Sequence, residues 1–349
     1  MSKWFYKELR ERLLLTLDEG PKGRPISQHG SVALSTSISS TRDENQDRAL
    51  LLEIRSDRFG SARLAVVCDG MGGLQQGGEA AAEALATFAA SFTSLMRSPE
   101  DVRLSESLNR ANWAVHNKYR GRSGTTLTAL LKTENGHWSI HCGDSRLYGI
   151  DRSGKMTLLT SDDTLQNAIN EHAGRISEDD LDNRLIQFVG VGEALEPHLE
   201  AYRSQAFEKW LLTTDGAHAI GRSSLDGIYK TSRNPTDFLR KLMYVADAVG
   251  TGDNATAICV ETKEFGKISR KGLFVSVYTP KEGFEIWVPG SASENIEREI
   301  FDYFEKRLSA RADDKRQEKQ PDDKIKSESD VNLVKRISQE VLFEDSDPD

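Results

Sequence analysis

The sequence predicts an α+β fold. Short β-rich runs come in groups, and two long helical stretches interrupt them as a pair. A doubly wound chain would alternate strand and helix instead. The 349 residues are 37% hydrophobic and 29% charged, with 27 Gly and 9 Pro. That composition supports a real core and excludes a collagen-like, wholly coiled-coil or wholly disordered chain. The length allows two domains, or one core of about 250 residues with appendages.

In chain order, Trp4, Phe5, Leu9, Leu13 and Leu17 have the spacing of an amphipathic helix. The breaker cluster Gly20-Pro21-Lys22-Gly23-Arg24-Pro25 ends it, so residues 1–27 read as a helix and linker. Ala49–Ile54 and Arg63–Cys68 read as strands. An Ala-rich helix follows over Glu79–Met96, and Ser98-Pro99-Glu100-Asp101 offers an N-cap, a first-turn proline and capping acids for a second helix to about Tyr119. Further strands are expected at Leu127–Lys132, Trp138–Cys142, Lys209–Thr213 and Ala255–Val260, within a main domain of residues 28–263. Residues 264–309 read as an accessory unit. It has a hairpin, Leu273–Tyr278 with Phe284–Val288, and a helix bearing Ile296, Ile300, Phe304 and Leu308. Residues 310–349 are a charged tether with a short amphipathic piece, Val331–Phe343. They read equally well as a docking arm and as a solvated extension. Unchanged turnover and partner capture after deleting everything beyond Ala310 would sink the docking arm.

Forty-six Lys and Arg against 55 Asp and Glu leave a formal charge of −9. That balance argues against nucleic acid or an anionic membrane as the main partner. No stretch approaches the roughly 20 apolar residues of a membrane span. Charged residues are mixed through the first seventeen, unlike a signal-peptide core. Cys68, Cys142 and Cys259 sit singly in apolar runs, as core thiols of a reducing compartment do. The expectation is a cytoplasmic protein.

The chemistry lies in the aspartates. Asp69 follows a strand and precedes Gly70-Met71-Gly72-Gly73; Asp215 follows Trp210–Thr214 and precedes Gly216. Asp144 sits in Gly143-Asp144-Ser145 after another strand, and Asp253 lies between Gly252 and the run Ala255–Val260. Four times a strand end carries a carboxylate beside a glycine, which lets the backbone turn or approach closely. Converging, these carboxylates would repel unless cations were bound, and all-oxygen ligands select hard Mg²⁺ or Mn²⁺ over zinc. The bland alternative is four unrelated turn aspartates. A fifth segment, Arg42-Asp43-Glu44-Asn45-Gln46-Asp47, adds one more carboxylate and an arginine. A guanidinium beside a dinuclear metal site is what phosphate-ester hydrolysis needs; the alternative for Arg42 is a surface ion pair.

Six segments together carry a resemblance: Arg42-x-x-Asn45-Gln46-Asp47, Val67–Gly73, Ser123-Gly124-Thr125-Thr126, Gly143–Tyr148, Leu211–Gly216 and Gly252–Thr256. In order and type the chain resembles the metal-dependent serine/threonine phosphatases of the protein phosphatase 2C family, in their bacterial form, over roughly Ser31–Thr262. The resemblance implies a four-layer α-β-β-α sandwich, two antiparallel sheets flanked by helix pairs. It implies two Mg²⁺ or Mn²⁺ ions, with Asp69 bridging, the Gly70 carbonyl on one ion, and Asp215 and Asp253 on the other. Asp47 would stand against the metal-bound waters, Asp144 would help hold a third, weaker ion, and Arg42 would take the phosphate. The implied chemistry is direct attack of a metal-bound hydroxide on phosphorus. Arg42, Asp47 and Asp69 are then the catalytic candidates, and Asp47, Asp69, Gly70, Asp144, Asp215 and Asp253 the metal set.

Gln46 stands where many members have a glutamate, and Asp163 where a histidine is frequent. His218, three residues after Asp215, could donate a proton to the leaving group or be structural. Thr125 and Thr126 read as packing at a strand start, and His137 and His141 as packing rather than a zinc site. Arg146 lies four residues after Cys142, so no Cys-x₅-Arg cradle exists. Asp162–Val191 matches the family's variable flap. The first reading is a phosphoserine/phosphothreonine protein phosphatase opposing a partner kinase. A non-catalytic scaffold and an enzyme acting on a small phosphorylated metabolite are the alternatives.

Overall fold

Along Lys209–Thr213, Trp210 and Leu212 point to one side and Leu211 to the other, and all three are fully buried. A strand with two apolar faces must be covered on both, which calls for a sheet between layers. The computed structural model describes residues 2–18, 20, 23–71, 76–173, 184–193, 195–203, 206–263, 265 and 271–289. In chain order these form α1 (Ser2–Leu17), β1 (Ile26–His29), β2 (Val32–Ser37), β3 (Arg48–Ser56), β4 (Gly60–Cys68), α2 (Gly77–Ser94) and α3 (Glu100–Tyr119). Next come β5 (Leu127–Lys132), β6 (His137–Cys142), β7 (Arg146–Ile150), β8 (Met156–Leu158), α4 (Leu165–Ala173), β9 (His198–Tyr202) and β10 (Lys209–Thr213). The rest are α5 (Asp215–His218), α6 (Arg222–Lys230), α7 (Pro235–Val249), β11 (Ala255–Glu261), β12 (Gly272–Tyr278) and β13 (Gly283–Pro289).

Two antiparallel sheets result, ordered β1-β2-β11-β10-β7-β8 and β13-β12-β3-β4-β5-β6-β9. Between them lies a core of Val32, Leu34, Trp210, Leu212 and Ile258 from the first sheet against Leu51, Ala65, Val67 and Leu130 from the second. The outer face of the first sheet packs Leu211, Ala257 and Cys259 against Leu225 of α6 and Phe238, Leu242 and Met243 of α7. On the second sheet lie α2 and α3, with α1 stacked on α2. This is the four-layer α+β sandwich.

The six strands expected from the sequence all form. The Ala-rich helix starts at Gly77, two residues early, and its small side chains let α1, α3 and the sheet approach it on all sides; every residue but Glu79 is buried. The helix after it begins at Glu100 with Pro99 as its N-cap and no capping side chain, so Ser98 is not the cap; its N–H bonds Leu95 instead. Besides the short α4 and α5, two helices, α6 and α7, were not anticipated individually. The second carried signals: the Asn234 side chain accepts from the Asp237 N–H at 2.8 Å, Pro235 opens the helix, and Gly250 closes it at φ +71°. The hairpin β12-β13 pairs along β3 and extends the second sheet. The expected helix at 296–308 and the tether and amphipathic piece at 310–343 lie outside the described residues. Among the described residues no helix is long and apolar enough to cross a membrane.

Candidate metal centre

Antiparallel pairing brings the aspartates to one end of the sandwich. Arg48 pairs with Cys68, so Asp47, just before β3, lies beside Asp69, just after β4. Leu127 pairs with Cys142, which sets Thr125 and Thr126 beside the Gly143-Asp144 turn. In the other sheet Thr213 pairs with Ala257, so Asp215 and Asp253 leave neighbouring strands together. The glycines serve both purposes expected of them. A Cβ on Gly70 would collide with the Gly77 carbonyl, so only glycine allows that approach, while Gly143 turns at φ +109°.

Small polar networks fix the residues Asp47, Asp69 and Asp253. The Thr125 hydroxyl donates to the Asp69 carbonyl at 2.8 Å, and the Thr126 hydroxyl accepts from the Asp69 N–H at 2.9 Å. Asp47 is 2% exposed and accepts from the Thr214 hydroxyl at 2.8 Å; Thr256 gives it a second hydroxyl bond. Asn45 fixes the Asp47 N–H at 3.0 Å and donates to Thr36 at 2.9 Å. Asn254 accepts from Ser39 and donates to the Glu44 carbonyl, tying the loop that carries Arg42 to the loop that carries Asp253. Arg42 itself reaches Asp253 at 2.6 Å and the Gly252 carbonyl at 3.3 Å.

Four acids in one small volume raise one another's proton affinity. Burial, then the charges of Asp215 and Asp253, push Asp47 up to about 8, although its two threonine bonds pull the other way. Asp69 is held well above the usual carboxylate range, first by burial, then by Asp47 and Asp215. Asp144 is pushed up to about 7 by burial and by Asp215 and Asp162. Asp215 is raised by burial and Asp253, against a hydrogen bond with Asp69.

As the side chains stand, no group of three His, Cys, Asp or Glu among the described residues converges tightly enough to hold a metal ion. Arg42 occupies Asp253, and the Asp69 and Asp215 carboxyls bond each other. The donor set nevertheless fits a hard divalent cation. It is all oxygen, it is buried, and its charge exceeds what Arg42 offsets. Two positive charges would relieve the repulsion that now raises these acids.

An open groove of about 700 Å³ runs past Arg42, Asp144, Asp215, His218 and Asp253, with Arg146 on its wall paired to Asp162 at 2.6 Å. His218 bonds Thr213 at 3.0 Å, and burial together with Arg146 lowers it to about 3, so it is a neutral imidazole rather than a reservoir of protons. His141 spends one ring nitrogen on Thr128 at 2.9 Å and the other on the Ser161 carbonyl at 3.0 Å; His137 packs on Trp210. Asp163 accepts from the Gly143 N–H and faces His198, both at 2.8 Å, so it braces the turn before Asp144. Burial raises the thiols of Cys68, Cys142 and, to about 12, Cys259. The sequence reading gives Thr125 and Thr126 a packing role at a strand start and assigns none to Thr214 or Thr256. Thr125, Thr126, Thr214 and Thr256 touch the carboxylates or their backbone, and the available signal was their place in the short segments that carry the resemblance.

The family model for protein phosphatase 2C matches residues 36–256. The serine/threonine protein phosphatase PstP of Mycobacterium tuberculosis is 29% identical over 234 residues, 63% of this chain and 44% of PstP. The chain therefore spans less than half the length of the curated relatives it matches. The PPM Ser-Thr phosphatase MsPP of Mycobacterium smegmatis, solved in complex with cacodylate, superposes with a TM-score of 0.54 at 28% identity, covering 67% of this chain and 99% of that one. The catalytic domain of PstP, solved in complex with two manganese ions, superposes at 0.55 with 24% identity over 68% of this chain and 98% of its own.

Proposed function

The chain belongs to the protein phosphatase 2C family, and from that premise we propose that it hydrolyses phosphoserine and phosphothreonine in proteins, opposing a Ser/Thr kinase. The observation that carries this reading is a set of mutually repelling carboxylates beside Arg42: Asp144, Asp215 and Asp253 line an open groove, and buried Asp47 and Asp69 feel the charge of Asp215. We assign Asp47, Asp69, the Gly70 carbonyl, Asp215 and Asp253 to two Mg²⁺ or Mn²⁺ ions, with Asp144 directed to a third, weaker one. Bound there, such ions would polarise the phosphoryl oxygens and acidify water at neutral pH.

The chain's own groups supply the rest. Arg42 offers a planar fork for two phosphoryl oxygens, and its present partner Asp253 is the carboxylate with which phosphate would compete. Asp47, kept in place by Thr214, Thr256 and Asn45, is the group positioned to hold a proton from attacking water. No thiol serves as nucleophile, because all three are buried and protonated, which supports direct hydrolysis without a covalent phosphoenzyme. His218 is neutral and acts through hydrogen bonding, not as a charged acid.

The groove is open and polar rather than a closed pocket, which suits an extended chain more than a small metabolite. Hydrolysis by the purified protein in Mn²⁺ of a phosphothreonine peptide, a phosphotyrosine peptide and free sugar phosphates tests the substrate class. The expected result is preference for the phosphothreonine peptide. Faster turnover of the sugar phosphates would replace the protein substrate with a metabolite.

A further inference from the structure

Arg48 is 3% exposed, follows Asp47 directly in the chain and does not line the groove. Its guanidinium bonds four backbone carbonyls from two parts of the chain. Nε donates to Leu17 at 2.5 Å and Nη2 to Asp18 at 3.1 Å, both at the C-terminal end of α1. Nη1 donates to Asn45 at 2.7 Å and to Asp47 at 2.9 Å. Carbonyls at a helix C-terminus lack intrahelical partners and carry the negative end of the helix dipole, so a buried cation is well placed there. The same cation therefore caps α1 and grips the backbone of a candidate metal-site residue.

The contacts continue on both sides. A Cβ on Gly20 would collide with the Asn45 carbonyl, so the chain leaving α1 lies directly on the Asp47 loop. On the far side, Gly70 lies within a Cβ's reach of the Gly77 and Gln46 carbonyls, and Gly78 lies close to Arg48 and Glu44. A crevice lined by Thr16, Leu17, Asp47, Arg48, Pro280 and Lys281 brings the hairpin turn to the same spot. The helix is anchored independently: Phe5, Leu9, Leu13 and Leu17 are buried, and Arg10 pairs with buried Glu83 and bonds Thr87 at 3.1 Å. It lies wholly outside the matched span of residues 36–256.

We propose that α1 is a positioning element of the metal centre, and that Arg48 is the positioning residue through which it acts. With α1 docked, the fork holds the Asp47 carbonyl and so sets where that carboxylate stands; with α1 loosened, the fork loses two of its four acceptors and Asp47 relaxes. This rests on the assignment of the carboxylates to divalent ions.

Calorimetric Mn²⁺ titration of the full chain tests it, in wild type, Arg48→Met, the pair Leu9→Ala/Leu13→Ala, and all three changes combined. Removing a positive charge near a cation site would by itself tighten Mn²⁺ binding. Weaker binding in Arg48→Met, by about tenfold as for other residues that orient ligands, therefore reports lost positioning. The helix variant should weaken binding too, and the combination should be no weaker than Arg48→Met alone, because both act through one link. Unchanged or tighter binding in Arg48→Met, or losses that multiply, would overturn the proposal. Should Arg48→Met fail to fold, Arg48→Lys keeps the charge and loses the fork; wild-type affinity in that variant would overturn it equally. A wild type that binds no Mn²⁺ sinks the metal assignment itself, whereas wild-type binding indifferent to Arg48 sinks only the role of α1.

Discussion

Thr126 Oγ1 accepts the Asp69 N–H and bonds the Ser145 hydroxyl at 2.7 Å, so one side chain fixes the backbone of Asp69, just after β4, and the turn that carries Asp144. Replacing it with valine leaves a buried N–H without a partner, at a cost of about 1–3 kcal/mol. Denaturant unfolding should record that loss, with a higher Mn²⁺ concentration for half-activation; unchanged stability would contradict the bond. The acids make a second expectation. In the folded chain Asp47 titrates near 8 and Asp144 near 7, against about 3.9 for aspartate in an unfolded chain. The folded state then binds more protons between these values, so metal-free protein loses stability as pH rises from about 4 to about 8. Mn²⁺ competes with those protons and should raise Tm more at pH 8 than at pH 5.5; an equal rise at both would contradict it. The carboxylates were legible in the sequence because an acid beside a glycine at a strand end is unusual when repeated. Their threonine partners were not, because threonine is an ordinary strand residue. Arg48 was hidden for a different reason: its partners are all backbone carbonyls, two of them some 30 residues away, which leave no mark on sequence.

Elements differed in legibility for equally physical reasons. β3, β4 and β10 are long apolar runs buried on both faces, and they stand out. β2, with Ser35, Thr36 and Ser37 among its six residues, does not, yet it is wholly buried because its hydroxyls find partners in Pro25 and Thr256. α7 carries Phe238, Leu239, Leu242, Met243 and Ala246 on one face and has both caps, so its signal was present and went unread. That face closes the outer side of the first sheet. Phe238→Ala should cost about 3–5 kcal/mol in denaturant unfolding, while the folded fraction keeps the wild-type kcat, since α7 supplies no group to the carboxylate cluster. A loss of kcat at full folding would make the helix part of the site.

At the scale of the molecule, two sheets bring strand ends from distant parts of the chain to one place. Asp253 meets Arg42, and Asp47 meets the Thr214–Thr256 pair, only because β2, β3, β10 and β11 end together. The order of the acids along the chain was readable; their convergence needed the pairing of strands. Additions outside the matched span are built onto that frame, with α1 on α2 and the hairpin on β3. The most direct test of the whole account is phosphate release from a phosphothreonine peptide by the purified chain, with Mn²⁺, then with EDTA, beside Asp69→Asn. Turnover that needs Mn²⁺, stops with EDTA and falls by about 10²–10³-fold in the variant is the predicted result. A folded wild type that binds Mn²⁺ weakly or not at all and releases no phosphate would contradict it, and leave the chain a binding scaffold.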